Sequence, residues 1–134
     1  MLIVKRENRM KREVVSANAP KAVGPYSQAI ATEAAVYVSG QLPINSETGI
    51  RPEGITAQTE QSIANVKAVL EEEGLDLSDV VKTTVLLSNI ADFQAMNEVY
   101  KKHFAAPFPA RSAFQVAALP TGAMVEIEVV AVHR

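Results

Sequence analysis

The sequence predicts an α+β domain in which one mixed β-sheet carries two helices on one face. Segments rich in β-branched residues alternate with two longer segments whose apolar residues recur at helical spacing. The order of these segments is β-β-β-α-β-α-β-β, which is typical of strands covered by a single layer of helices. The chain of 134 residues fits one domain, and it shows no internal repeat.

Composition argues against several classes of function. Net charge is −2 without a long run of one sign, which argues against a dedicated nucleic-acid or membrane surface. The sequence has no cysteine, which excludes disulfides, thiolate metal sites and a cysteine nucleophile, and His103 and His133 lack zinc-ligand spacing. No apolar run approaches the roughly 20 residues of a membrane span. We therefore expect a cytoplasmic domain that works without a metal.

The N-terminal residues 1–9 differ from the rest, because a short apolar start is followed by charges. A second methionine, Met10, then precedes a regular strand pattern, and codons for residues 5–7 can include a purine-rich ribosome-binding sequence. One hypothesis is that the natural start is Met10 and that the domain comprises residues 10–134. The alternative is an ordinary N-terminal extension. The encoding DNA distinguishes the two.

The first half of the chain predicts three strands followed by a loop. Residues 13–17 contain two adjacent β-branched valines and predict a first strand, and residues 29–32 and 35–41 flank a Glu33-Ala34 turn that predicts a hairpin. Residues 45–54 carry two glycines and one proline among polar residues, so we expect a surface loop there.

Two positions in this half are candidates for ligand contact. Gly24-Pro25 fixes a turn that presents Tyr26, whose hydroxyl can bind a ligand or whose ring can simply pack in the core. The strand 35–41 ends near Ser39 and Gly40, where a glycine lets a ligand or another backbone approach closely.

The second half predicts two helices around a strongly β-prone run, residues 80–88. The first helix is expected from an N-cap at Thr56 to Glu73, with Gly74 ending it. The second helix follows a cap at Asn89 or Asp92 and reaches about Phe104. Its apolar face comprises Phe93, Met96 and Tyr100, and among them lies Asn97, which either reaches a polar site or faces solvent.

Residues 109–132 predict two closing strands joined by a Leu-Pro-Thr-Gly turn, with Arg111 in the first and Glu126 in the second. The last strand is largely apolar on both faces, so a second layer must cover the face away from the helices. Other subunits are the economical source of that layer.

Arg111 and Glu126 are the candidate catalytic pair. An arginine binds a carboxylate through two parallel N–H bonds, and burial among apolar neighbours raises the pKa of a glutamate towards the range that a general acid needs. The alternatives are a structural salt bridge or rim charge for Arg111, and a solvent-facing position for Glu126. The residues alone leave these alternatives open.

Several motifs, taken together, are similar to those of the RidA/YjgF reactive-intermediate deaminase family. The match runs from about Lys11 to the C-terminus in the expected order and spacing. The motifs are GPYSQA from Gly24, VSGQLP from Val38, AQTEQSIANVKAVLEEEGL from Ala57, VVKTTVLLSNIADFQAMNEVY from Val80, and PARSAFQVAALP followed by VEIEVVAV from Pro109.

This resemblance implies a chorismate-mutase-like domain, three copies of which form a trimer with a central barrel and three clefts between subunits. It implies hydrolysis of enamines and imines, such as 2-aminoacrylate and 2-iminopropanoate, to 2-keto acids and ammonia. Pyridoxal-phosphate dehydratases release these intermediates, and the deaminase itself needs no cofactor.

The resemblance also assigns roles. Arg111 would clamp the substrate carboxylate, and Glu126 would orient the attacking water and pass a proton to the departing amine. Many relatives have cysteine where this chain has Ala113, so a role of that position survives only through its backbone carbonyl. The other residues expected to contact the ligand are Tyr26, Ser39, Gly40 and Asn97.

Two rival functions accompany this one. Some relatives are credited with RNA cleavage or inhibition of translation, against which the net charge of −2 and the few aromatic residues argue. The other rival is a non-catalytic or chaperone-like trimer that binds a 2-keto acid, which the sequence leaves open.

Overall fold

A computed structural model describes residues 11–134, so the predicted extension 1–9 and the alternative start at Met10 lie outside the described residues. The described chain has the predicted α+β composition, with three short 3-10 turns between the main elements. The strands are β1 (Arg12–Val14), β2 (Ala29–Ala31), β3 (Ala35–Gln41), β4 (Val80–Leu87), β5 (Ala110–Gln115) and β6 (Val125–Val132), and the helices are α1 (Ile55–Glu71) and α2 (Phe93–His103).

The six strands form one mixed sheet in the order β1-β2-β3-β6-β4-β5. The predicted hairpin is confirmed, because β2 and β3 are antiparallel with Ala31 opposite Val36. The two closing strands are not paired with each other, since β4 lies between them. β5 runs parallel to β4 because α2 forms the crossover between these two strands. The Leu-Pro-Thr-Gly segment, with a 3-10 turn at Pro120–Gly122, then leads to β6.

Both helices pack on one face of the sheet, as predicted. Strand β6 shows the alternation that produces the two faces: its core-facing side chains are buried, while the alternate ones lie on the other face. That other face exposes large apolar side chains, among them Tyr37, Phe114 and Val132. The buried side chains of β6 are Val125, Ile127, Val129 and Ala131.

Helix α1 has the predicted apolar stripe but different ends. It begins at Ile55 after Gly54, whose φ of 86° suits glycine, so the prediction that Thr56 is the N-cap is wrong. The helix ends at Glu71 rather than Glu73. Gly74, at φ 70°, closes it by donating its N–H to the Glu71 carbonyl.

Strand β1 is shorter than the predicted 13–17 because a buried side chain takes the place of a neighbouring strand. The Ser16 N–H donates to Gln28 Oε1 at 2.6 Å, and Gln28 Nε2 donates to the carbonyls of Ser16 and Pro20. These bonds bend the chain out of the sheet and fix the loop that leads to Tyr26.

Helix α2 begins after a 3-10 turn at Ile90–Asp92. Of the two predicted caps, Asn89 caps that turn by accepting from the Ala91 N–H at 2.9 Å, whereas Asp92 precedes α2 without a side-chain cap bond. Within residues 11–134, no helix has the length and apolar character needed to cross a membrane.

Candidate functional site

Arg111 is held by side chains of α2. In β5 it lies opposite Thr83 of β4, on the face that carries the helices. Its guanidinium donates to Asn97 Oδ1 at 2.7 Å, and its Cζ lies 4.7 Å from the centre of the Tyr100 ring and 5.4 Å from that of Phe93. The Tyr100 hydroxyl is itself fixed by a 2.8 Å hydrogen bond with Thr83. The guanidinium is therefore oriented by an amide and two aromatic rings.

A cleft of about 590 Å³ opens beside Arg111. Glu98 and Lys101 at this cleft pair with each other at 2.8 Å, while Arg111 forms no salt bridge with any residue from 11 to 134. The guanidinium retains N–H donors that a carboxylate can engage bidentately. The lining residues are Gln94, Asn97, Glu98, Tyr100, Lys101, Phe108, Pro109 and Arg111.

Glu126 occupies a different environment, on a strand that is paired on both sides. Its side chain is half-buried on the sheet face away from the helices. Burial raises the pKa of Glu126 above its usual range, and the negative charge of Glu128 raises this pKa further. Within the described part of the chain Glu126 has no salt-bridge partner. A carboxylate in this position is a stronger base than one in water.

A β-bulge in β3 brings backbone against Glu126. Three residue steps along β3 are matched by two along β6, so Ser39 and Gly40 lie in the bulge. A Cβ at Gly40 would lie 2.6 Å from Glu126 Oε2, so the Glu126 side chain would have to shift to make room for it. Glycine therefore allows the backbone of β3 to lie close to the carboxylate in its present position.

Tyr26 lies beside the same bulge. The Ser39 hydroxyl donates to the carbonyl of Ser27 at 2.6 Å, which ties the bulge to the segment that carries Tyr26. The Tyr26 side chain is 54% exposed, and its hydroxyl accepts a 3.4 Å bond from the Val23 N–H. It is thus a surface residue next to the Glu126 environment rather than a core residue.

The predicted site residues fall into two groups, which do not meet within one chain. Arg111 faces the helix side of the sheet, whereas Glu126 faces the other side. The Ala113 side chain packs towards the core, on the same face as Arg111. We call Arg111, Phe93, Asn97 and Tyr100 the arginine half-site, and Glu126, Tyr26, Ser39 and Gly40 the glutamate half-site.

Sequence reasoning missed some residues around these half-sites. Phe93 and Tyr100 were predicted only as the apolar face of a helix, although both contact Arg111. Buried polar residues of α1, Gln58 and Asn65, were not singled out, although polar residues on an otherwise apolar stripe are a signal of a specific contact. No cluster of three or more potential metal ligands occurs in the part of the chain that the structure describes.

The fold and the site together define a class of protein: a single α+β domain with an arginine beside a cleft and a half-buried glutamate, neither of which has a salt-bridge partner among residues 11–134. The family model described as Endoribonuclease L-PSP matches residues 16–133. The chain therefore belongs to this family, the RidA/YjgF family that its motifs predicted.

Individual relatives agree with this membership. The chain is 47% identical over 125 residues to the 2-iminobutanoate/2-iminopropanoate deaminase of Capra hircus, covering 92% of this chain and 91% of the relative. The crystal structure of the E. coli YjgF gene product has a TM-score of 0.87 at 42% identity, covering 92% of this chain and 99% of that one. The crystal structure of E. coli TdcF with bound serine has a TM-score of 0.87 at 38% identity, with the same coverage.

Proposed function

We propose that this protein hydrolyses 2-imino acids and their enamine tautomers, such as 2-iminopropanoate and 2-aminoacrylate, to 2-keto acids and ammonia. The observation that supports the proposal is that Arg111 and Glu126, which carry opposite charges, have no salt-bridge partner in the described residues 11–134. Their environments suit carboxylate binding and proton transfer respectively. The name of the Capra hircus relative and the serine bound to TdcF, itself a small carboxylic acid, agree with this chemistry.

Because Arg111 and Glu126 face opposite sides of one sheet, we further propose that the complete site joins the arginine half-site of one copy to the glutamate half-site of another. Such a contact is heterologous, and three copies close it into a ring with three equivalent sites. The exposed apolar side chains Tyr37, Phe114 and Val132 would then line a central barrel formed by sheets of the chorismate-mutase type.

In the first chemical step, Arg111 holds the substrate carboxylate and Glu126 takes a proton from a water molecule. The water oxygen bonds to the imine carbon, the π electrons of C=N move to nitrogen, and Glu126 delivers its proton there. In the second step Glu126 moves the proton of the new hydroxyl to the amine. The C–N bond then breaks, its electron pair leaves with ammonia, and C=O forms, so that Glu126 ends as a carboxylate.

The remaining predicted residues complete the cleft in this proposal. Gly40 offers its backbone N–H to the ligand, and Ser39 and Tyr26 line the wall beside Glu126. Ala113 contributes its backbone carbonyl to the attacking water, because its side chain packs towards the core. The replacement of the common cysteine therefore leaves the reaction intact.

We place the reaction in the cytoplasm, beside pyridoxal-phosphate dehydratases that release 2-aminoacrylate. Hydrolysis there protects pyridoxal-phosphate enzymes from a reactive intermediate. RNA cleavage, to which the family description refers, is not our proposal, because the chain is acidic and Lys101, the second cation at the cleft beside Arg111, is paired with Glu98.

The proposal is tested by generating 2-aminoacrylate with a serine dehydratase, with semicarbazide present as a trap. Wild-type protein is expected to speed pyruvate release and reduce the trapped adduct, and Arg111→Ala is expected to do neither. A folded wild-type protein without effect on this imine or on larger ones would refute hydrolysis. Binding of pyruvate in that case would favour the keto-acid-binding alternative.

A further inference from the structure

Helix α1 carries a buried glutamine that contacts the start of β6. Gln58 is 3% exposed, and its Oε1 accepts a 2.8 Å hydrogen bond from the backbone N–H of Met124, two residues before Glu126. Its Nε2 donates to the Pro52 carbonyl at 3.0 Å. The side chain thereby ties the strand that carries Glu126 to the helix and to the loop before it.

A buried asparagine two turns further along α1 contacts the chain just after β3. Asn65 is 1% exposed, and its Nδ2 donates to the carbonyls of Leu42 and Ile44, each at 3.0 Å. Its Oδ1 accepts from Gln61 Nε2 at 2.9 Å, which fixes the orientation of the amide. Both hydrogen bonds of Nδ2 therefore join the side chain to the segment that follows Gly40.

The two amides act at one end of the sheet. A spacing of seven residues places Gln58 and Asn65 on the same side of the helix. Since β3 and β6 are antiparallel, the end of one lies beside the start of the other, where Gly40 meets Glu126. We infer that Gln58 and Asn65 are positioning residues that hold Gly40 against Glu126 for hydrolysis, an inference that rests on the proposed function.

The geometry at Gly40 explains why this positioning matters. The bulge and the Glu126 carboxylate are so close that a methyl group at Gly40 would displace the carboxylate from its present position. Loss of either amide removes a hydrogen-bond partner of a part-buried backbone group, the Met124 N–H for Gln58 and the Ile44 carbonyl for Asn65, and lets the adjoining strand ends shift. A displacement of about 1 Å remote from the chemistry can reduce a rate by about 100-fold.

The test compares Asn65→Ala and Gln58→Met with Ser62→Ala. Ser62 lies between them on α1 and is fully buried, but its hydroxyl has no hydrogen-bond partner among residues 11–134. We expect pyruvate formation from 2-aminoacrylate to fall on the order of 100-fold in the first two variants and to remain near wild type in the third. Affinity for pyruvate, measured by calorimetry, should fall far less, because Arg111 is untouched.

Two further variants separate positioning from general destabilisation. Val69→Ala removes a buried apolar side chain from α1 without affecting either amide, so it lowers stability and should keep its rate below its melting temperature. Gln58→Glu keeps an acceptor for the Met124 N–H and should regain most of the rate lost in Gln58→Met. A Gln58→Glu protein with the melting temperature of wild type that is nevertheless as slow as Gln58→Met would overturn the role of the Met124 bond.

The outcomes distinguish this inference from the proposed function. Suppose that the wild-type protein turns over 2-aminoacrylate and that the folded variants Asn65→Ala and Gln58→Met are as fast as folded Val69→Ala. That result would overturn the positioning role and leave the hydrolysis proposal standing. Absence of wild-type turnover would refute both.

Discussion

The two half-sites surround their charged groups differently, with side chains around Arg111 and with backbone around Glu126. Arg111 lies on an edge strand and is oriented by side chains of α2, with Asn97 Oδ1 at 2.7 Å and the Tyr100 ring centre at 4.7 Å. Glu126 lies on a central strand, where its half-buried carboxylate lies against the bulge at Gly40, and no cation from residues 11–134 forms a salt bridge with it.

This difference matches the distinct chemical roles proposed for the guanidinium and the carboxylate. A guanidinium stays charged at any working pH, so the fold has only to orient it and leave its donors accessible. A carboxylate becomes a useful base only if its pKa is raised, which requires removal from water rather than orientation alone. Side-chain changes should therefore affect the arginine half-site mainly through binding, and the glutamate half-site mainly through turnover.

The largest expected effect is that of Glu126→Gln. It removes the only group proposed to move protons, so turnover of 2-aminoacrylate should fall by about 10²- to 10⁴-fold while pyruvate binding persists. Glu128→Gln, two residues along on the same face, is the matched control and should stay within a few-fold of wild type at neutral pH. Equal losses in the two variants would contradict the assignment of Glu126.

Arg111→Lys should have the next largest effect. Lysine keeps the positive charge but lacks the planar guanidinium that binds a carboxylate through two parallel N–H bonds. We expect a loss of roughly 1.5–3 kcal/mol of transition-state stabilisation, or about 10- to 150-fold in kcat/KM. The loss should appear mainly as weaker binding of pyruvate and a higher KM. Arg12→Lys, in an exposed pair with Glu73, is the control and should leave the kinetics unchanged. A normal KM with low kcat for Arg111→Lys would be incompatible with a binding role.

Gly40→Ala should affect turnover more than binding. The new methyl group would lie 2.6 Å from Glu126 Oε2, so the carboxylate must rotate away, and we expect roughly a tenfold loss of turnover. The backbone of Gly40 does not have a positive φ, so the fold should persist. Circular dichroism and pyruvate binding check the fold and the arginine half-site. Unchanged turnover would show that the contact with Glu126 is dispensable.

The smallest expected effect is a shift in pH dependence. In the proposed mechanism the ionised form of Glu126 takes the first proton, so we expect the rate to fall as pH drops through the raised pKa of Glu126. Glu128 contributes to that raised pKa, and Glu128→Gln should therefore move the acid limb of kcat/KM to lower pH. The measurement is a pH–rate profile of the wild-type and Glu128→Gln proteins. An acid limb that moves to higher pH in the variant would contradict the proposed effect of Glu128 on Glu126.

Much of the fold was predictable because it depends on local patterns. The stripe from Ile63 to Leu70 defines α1, and the alternation along β6 separates a core face from an exposed one. The predicted ends of helices and strands were wrong where a backbone conformation or a partner distant in sequence determines the end. Gly54 starts α1 through its φ of 86°, and the Gln28 side chain ends β1 early.

The sequence suggested candidate site residues but not their arrangement in space. Alternation along β6 indicates which way Glu126 points, whereas the direction of Arg111 depends on the register of β5 against β4, which no local pattern specifies. The roles of Gln58 and Asn65 likewise depend on contacts across 66 and 23 residues of sequence, so only the burial of polar side chains on α1 hinted at them.

The most direct test of the account is subunit complementation, because the central claim is that Arg111 and Glu126 act from different copies. Arg111→Ala and Glu126→Gln proteins, each inactive alone, are unfolded together, refolded as an equal mixture and confirmed as hybrid oligomers by native mass spectrometry. In a ring with heterologous contacts, about one quarter of the sites then combine an intact Arg111 with an intact Glu126, so about one quarter of wild-type activity should return. Hybrid oligomers as inactive as their parents would contradict the shared site.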